Sequence, residues 1–304
     1  MKMKVRRLLA AILSVVFLIS CNDGPDTPND LQQWMKDIEE IDAFLDANSI
    51  SAIEDPSGIR IVITSLGTGL PAKVTDGVDV NYIGRRFSDK VVFDQRTNYR
   101  ENLQKVIDGW KAAFTRMPAG TSATIYIPSL LGYGSRGSGT QIPPNEILEF
   151  DVQFNSVVLS TSDAQKLTQD IAAVDTYLEG KEIDAVEDPT GLRYVITQTG
   201  GGPTATWYDQ VKYRAAFRLM SNDEQVVANV EFAPSENNVN RVIDQIAHGL
   251  KTALQKVPEG SKITLYVPSG LAYGAEGASD NGQQVIPANA NIIIDVELID
   301  VVGK

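Results

Sequence analysis

The chain has 304 residues, room for two domains, and carries 27 Lys and Arg against 39 Asp and Glu, a formal net charge of −12. Such an acidic surface repels phosphate backbones and excludes nucleic acid as a partner. Cys21 is the only cysteine, so no intramolecular disulfide braces the fold, and the lack of a P-loop, a dinucleotide fingerprint or metal-binding Cys/His spacing leaves no cofactor to expect.

At the N-terminus, Lys2, Lys4, Arg6 and Arg7 precede an apolar run over residues 8–19. The run is too short to cross a bilayer comfortably, and its basic flank marks residues 1–20 as a secretory signal. It ends in Leu18-Ile19-Ser20-Cys21, which resembles the bacterial lipobox and implies cleavage before Cys21 and lipidation of its thiol. A plain signal peptide with an incidental cysteine is the bland alternative; the lone cysteine falling at the cleavage site argues against it. Residues 21–30, polar and containing Pro25 and Pro28, read as a flexible tether. Asn22-Asp23 behind the cysteine resembles outer-membrane or surface lipoproteins of some Gram-negative lineages, so the expected location is the cell envelope, with the membrane held through Cys21.

The first element is a short amphipathic helix carrying Trp34, Ile38, Ile41, Phe44 and Leu45 at spacings of three and four. Asp55-Pro56-Ser57-Gly58 then turns the chain into a strand over 59–65. Val78, Val80 and Tyr82 alternate with polar neighbours, as do Ala123, Ile125 and Ile127, and Leu148, Phe150, Val152 and Phe154, which marks three more strands. Between them Val106, Trp110, Ala113, Phe114 and Met117 recur at helical spacing, stopped by Pro118-Ala119-Gly120.

The pattern then repeats. Leu167, Ile171, Val174, Tyr177 and Leu178 form a second amphipathic stripe, Asp188-Pro189-Thr190-Gly191 a second turn, and residues 192–197 a second leading strand. The tyrosine strand Val80-Asn81-Tyr82-Ile83-Gly84 returns as Val211-Lys212-Tyr213-Arg214-Ala215, Leu131-Gly132-Tyr133-Gly134 as Leu271-Ala272-Tyr273-Gly274, and Gln141-Ile142-Pro143-Pro144 as Val285-Ile286-Pro287-Ala288. Strands around one short helix make each copy an α+β unit. The expected domains are 31–160 and 161–304.

In their order, these words resemble the FKBP family, the macrolide-binding peptidyl-prolyl isomerases, closely over residues 75–159 and more loosely over 205–302. The resemblance implies two FKBP-like domains, each a curved antiparallel sheet wrapped on a short helix and preceded by an amphipathic helix, with an apolar pocket between sheet and helix. It places Trp110 on the pocket floor, Tyr82, Phe93 and Phe150 on its walls, Val106 and Ile107 along one edge and Ile142 in the rim loop. It makes Asp94 and Tyr133 the catalytic pair, Tyr133 holding a substrate carbonyl and Asp94 facing the rotating one. The stretch between Asp94 and Trp110 is shorter than usual in the family, and the extra aromatic and arginine that many members carry there have only Tyr99, Arg96 and Arg100 as candidates.

Taken singly, Trp110 beside Phe114 is ordinary core packing, Asp94 a turn residue and Tyr133-Gly134 a loop break; their joint order favours a pocket. In the second copy Phe93 and Asp94 become Ala228 and Asn229, Trp110 becomes Leu250 and Phe150 becomes Ile294, so efficient isomerisation is not expected there. The longer segment 222–240 is placed to cover the emptied pocket or dock a partner. His248, the lone histidine, has no metal or triad companion in sequence and reads as structural. The resulting expectation is a cell-envelope isomerase acting on proline-containing polypeptides during the folding of exported proteins, with the activity in the first domain. A non-catalytic lipoprotein that holds a peptide or protein on two such folds is the alternative.

Overall fold

A computed structural model describes residues 27–206, 209–232, 248–280 and 283–302. Cys21, the expected signal and the start of the expected tether lie outside the described residues. The chain divides into two compact units, the first ending at Asn155 and the second starting at Ser156, except that Gly67–Ala72 groups with the second.

The first unit opens with a helix, α1 (Pro28–Ala47). Thr27 caps it by accepting from the Asp30 N–H, and Pro28 sits where a helix needs no amide donor. Residues 28–30 are therefore helical rather than tether, and at 20 residues the helix is longer than the apolar stripe alone suggests. Six strands follow: β1 (Ile53–Glu54), β2 (Arg60–Ser65), β3 (Gly77–Arg86), β4 (Val92–Asn102), β5 (Ser122–Ile127) and β6 (Leu148–Val158). They form one antiparallel sheet in the order β1-β2-β5-β6-β3-β4.

A seven-residue helix, α2 (Asp108–Phe114), follows β4 in the chain. It lies close on β5, because Gly109 has no Cβ to collide with the side chain of Ile127. The helix is shorter than its periodicity predicts: Val106 closes a single 3-10 turn (Leu103–Lys105) with an extended ψ, and Ile107 is the N-cap. Trp110, Ala113, Phe114 and Met117 are buried with Val78, Val80, Ile125, Leu148 and Phe154. The expected strands thus appear nearly where the alternation placed them. β4 is the addition, a largely exposed edge strand that apolar alternation does not reveal.

The second unit repeats the plan: α3 (Thr161–Gly180), capped by Ser160, then β7 (Val186–Glu187), β8 (Arg193–Gln198), β9 (Gln210–Leu219), β10 (Gln225–Phe232), α4 (His248–Leu254), β11 (Lys262–Val267) and β14 (Ile292–Val302). Its sheet runs β10-β9-β14-β11-β8-β7, the same order in mirror reading, and a small hairpin of β12 (Ala278–Asp280) and β13 (Gln283–Ile286) stands apart from it. Among the described residues no helix is long and apolar enough to cross a membrane.

Candidate functional site

Successive side chains of a regular strand face opposite sides, yet Phe93, Asp94 and Tyr99 of β4 all serve the same face. Two irregularities in the β3–β4 pairing make this possible. Gly84 stands opposite Asp94 and Arg85 opposite Val92, which leaves Phe93 as the extra residue; Val80 stands opposite Tyr99 and Tyr82 opposite Arg96, a second slip around Asn98. Asn98 takes a left-handed φ of 51° and donates its N–H to Asn81 Oδ1 at 2.7 Å. Each bulge re-aims the side chain beside it.

The rings so aimed meet around Trp110. Its centroid lies 4.9 Å from Tyr82, 5.2 Å from Phe114, 5.4 Å from Phe150 and 6.4 Å from Tyr99, each near edge-to-face. Tyr82 meets Tyr99 at 5.6 Å, and Phe93 meets Phe150 at 5.6 Å. Edge-to-face pairs of this kind contribute about 0.5–1.5 kcal/mol beyond simple burial. Trp110 is 4% exposed, and its Nε1–H is buried without an acceptor among the described residues. An unpaired buried donor costs roughly 1–3 kcal/mol, a cost that a ligand carbonyl arriving at the indole would relieve.

Gly84 leaves room for this cluster. A Cβ at that position would stand 2.7 Å from Phe150 Cε1 and 2.8 Å from Phe93 Cζ.

Polar groups gather beside the rings. The Tyr82 hydroxyl donates to Asp94 Oδ2 at 2.6 Å, and Arg96 Nε lies 3.6 Å from Asp94 Oδ1 with its guanidinium 5.0 Å above the Tyr99 ring. Burial first, and then the hydrogen bond to Asp94, pushes the Tyr82 phenol well above its ordinary range. Tyr133 is 39% exposed, and burial, followed by the charge of Asp94, raises its phenol as well. Tyr133 follows the 3-10 turn Ser129–Leu131, and Ile142 is buried in the next loop, paired with Ser138 through both backbone groups at 2.8 and 3.1 Å. Val106 and Ile107 are half-buried at the entrance to α2.

The structure therefore brings Tyr82, Phe93, Phe150 and Trp110 together, with Asp94 held by Tyr82 at their edge. Of the candidates the sequence leaves open, Tyr99 packs on the rings of Tyr82 and Trp110, and Arg96 lies beside the carboxylate of Asp94. Arg100 turns away to Asp79 at 2.6 Å.

Among the described residues of the second unit there is no such cluster. Leu250 and Ile294 replace Trp110 and Phe150 and are fully buried, and Ala215 carries a methyl where Gly84 has none. Opposite Tyr213 the register places Phe232, where Tyr82 faces Arg96, and the two rings stack at 4.9 Å and 15°. Tyr213 is 2% exposed, and burial carries its phenol far above the ordinary value. The longer segment thus lays a ring over the tyrosine that the first unit leaves beside its carboxylate.

Parts of this chain are similar to known proteins. The chain is 37% identical over 122 residues to the outer membrane protein MIP of Legionella longbeachae, covering 38% of this chain and 52% of that one. It is 35% identical over 111 residues to the isomerase FkpA of Aeromonas hydrophila, covering 35% and 41%. The chain spans about half the length of these relatives. A solved peptidyl-prolyl cis-trans isomerase from Pseudomonas syringae is 30% identical and aligns with 44% of this chain and 99% of its own, with a TM-score of 0.37. The sequence profile of the FKBP-type peptidyl-prolyl cis-trans isomerases matches residues 70–155 and again 202–299, together more than half the chain, and so the chain belongs to that family, twice over.

Proposed function

We propose that the first unit is a peptidyl-prolyl cis-trans isomerase and that the second is an inactive copy serving as spacer or holder. The observation that carries this reading is the difference between the copies: the ring cluster about Trp110, with Asp94 and Tyr133 beside it, is present in one unit and replaced by aliphatic packing in the other. Rotation about an Xaa-Pro bond must break amide resonance, at a barrier of about 18–20 kcal/mol. No bond is cleaved, so no nucleophile is needed. The twisted amide has a weaker C–N dipole than the planar one, and a dry aromatic wall favours it; every 1.36 kcal/mol of such preference is tenfold in rate.

Within this reading Tyr133, a partly exposed side chain, orients the substrate by donating its hydroxyl to a carbonyl. Asp94 acts on the dipole of the rotating carbonyl while its other oxygen is held by Tyr82. Trp110 forms the floor, with Phe93, Phe150 and Tyr82 as walls and Tyr99 closing the side that the short Asp94–Trp110 stretch would otherwise leave open. Proline-containing polypeptides are the substrates, and exported proteins in the cell envelope the setting, the chain being held at the membrane by a lipid on Cys21.

The test is exchange of a short Xaa-Pro peptide followed by NMR with the chain lacking residues 1–21. Acceleration that disappears in Asp94→Ala and Trp110→Leu supports the reading. No acceleration by the intact body leaves the alternative, a non-catalytic binder. Anchoring is tested separately: Cys21→Ser is expected to abolish incorporation of labelled palmitate and release the chain from the membrane fraction.

A further inference from the structure

Tyr133 sits at the end of a turn whose first residue is tied to the N-terminal helix. Asp37 lies in the apolar stripe of α1 and is 1% exposed. Its Oδ2 accepts from both the backbone N–H of Ser129, at 2.7 Å, and the Ser129 hydroxyl, at 2.5 Å, while its Oδ1 accepts from Gln33 Nε2 at 2.6 Å. Ser129 is itself 0% exposed and starts the 3-10 turn, closed by the Leu131 N–H on Pro128 O and the Gly132 N–H on Ser129 O. Only Gly132 separates that turn from Tyr133.

A carboxylate withdrawn from water costs several kcal/mol unless its oxygens are satisfied. Three donors satisfy this one, and two of them belong to a single residue of the Tyr133 loop. The contact therefore fixes both the position and the rotation of Ser129. The second unit keeps half of the arrangement. Asp170 of α3 accepts from the Ser269 hydroxyl and from Lys166, but the Ser269 N–H goes to Asn291 Oδ1 at 2.8 Å. In the copy with the ring cluster, both donors of the serine are claimed by the helix.

We propose that Asp37 is a positioning residue for Tyr133: through Ser129 it holds the turn that sets where the phenol stands. This rests on the isomerase reading above. It makes the N-terminal helix part of the site's support, because a displaced orienting group loses rate steeply.

The experiment compares Asp37→Asn, Ser129→Ala and Asp42→Asn in the otherwise intact chain. Asp42 pairs with Arg60, a contact of the same helix that does not reach the Tyr133 loop. Asp37→Asn is expected to lower kcat/KM for a short Xaa-Pro peptide by roughly tenfold while circular dichroism stays native, and Tyr133→Phe is then expected to cost less in that background than alone. Asp42→Asn lowers the melting temperature but leaves the Tyr133-dependent part of the rate intact. Additive losses from Asp37→Asn and Tyr133→Phe would overturn the proposal. Should Asp37→Asn not fold, Ser129→Ala removes only the hydroxyl contact and is read the same way. The ring resonances of Tyr133 give a second readout that needs no turnover. They are expected to shift or broaden in Asp37→Asn and Ser129→Ala and not in Asp42→Asn; unmoved resonances would sink the inference even if the chain proves not to be an isomerase.

Discussion

The hydroxyl of Tyr82 donates to Asp94 Oδ2 at 2.6 Å, so the carboxylate at the edge of the ring cluster is oriented from within the sheet before any ligand arrives. A strand residue on β3 thereby fixes the residue next to a bulge on β4. Tyr82→Phe is expected to keep the ring packing and free Asp94 to rotate. Under the isomerase reading this lowers kcat more than it raises KM, by roughly three- to tenfold, the worth of one hydrogen bond. A loss confined to KM would mean that Tyr82 only shapes the cup.

Alkaline stability follows from the phenols. Tyr82 titrates well above its ordinary 10.0, and burial, followed by the charges of Glu149 and Asp151, pushes Tyr126 up to about 12. A phenol whose pKa is higher in the folded than in the unfolded chain contributes stability fully below the unfolded value and loses it as pH rises through the folded one. Stability is expected to be insensitive to these groups up to about pH 10 and to fall above it. Phenolate absorbance of the native chain should lag that of the urea-unfolded chain; coincident curves would contradict the burial of these groups.

Gly84→Ala puts a methyl into space that Phe93 and Phe150 occupy. Overpacking of this kind typically costs about 1–3 kcal/mol. Adding Phe93→Ala removes one of the two clashing rings, so the double variant is expected to lose less than the sum of the singles. Urea unfolding of the three variants measures it.

The division of labour between the units makes a further prediction. Asp94→Ala combined with Trp110→Leu is expected to leave no isomerase activity in the full chain, although Tyr213 and Tyr273 remain. Phe232→Ala, which uncovers Tyr213, is expected to raise the accessibility of that phenol to iodination without restoring turnover. Activity in the double variant would move the site to the second unit.

Trp110 carries a buried N–H without an acceptor among the described residues. Titration with an FKBP-type macrolide is expected to shift the Trp110 indole N–H resonance and quench its fluorescence. An unmoved resonance at saturating ligand would mean that the rings of Tyr82, Tyr99 and Phe150 close the floor off.

The sequence made the apolar half of this architecture legible and the polar half much less so. Val78, Val80 and Tyr82, or Ala123, Ile125 and Ile127, alternate because one face of each strand is buried, and that period survives in the text. β4 escapes such reading: it is an edge strand with mostly exposed residues, and its two bulges break the period that would have announced it. Tyr99 and Arg96 were unassignable for the same reason, since bulges set which way they point. Asp37 is hard to read from the sequence, because an acid within an apolar stripe looks like noise on one helix. The signal was its recurrence as Asp170 in the second helix, with a serine, Ser129 or Ser269, at the matching place in each later loop. Trp110, Phe150 and Asp94 stand out by their order along the chain rather than by local pattern.

β4 ends the first sheet, and the outer border of a sheet is a template on which any unfolded chain can lay a new strand. Here that border carries Asp94, Arg96, Arg100 and Glu101 and is kinked twice, at Phe93 and Asn98, which spoils the straight row of donors and acceptors such growth requires. The same kinks that turn Phe93, Asp94 and Tyr99 inward thus blunt the rim against aggregation, a useful property in a protein proposed to work among unfolded neighbours.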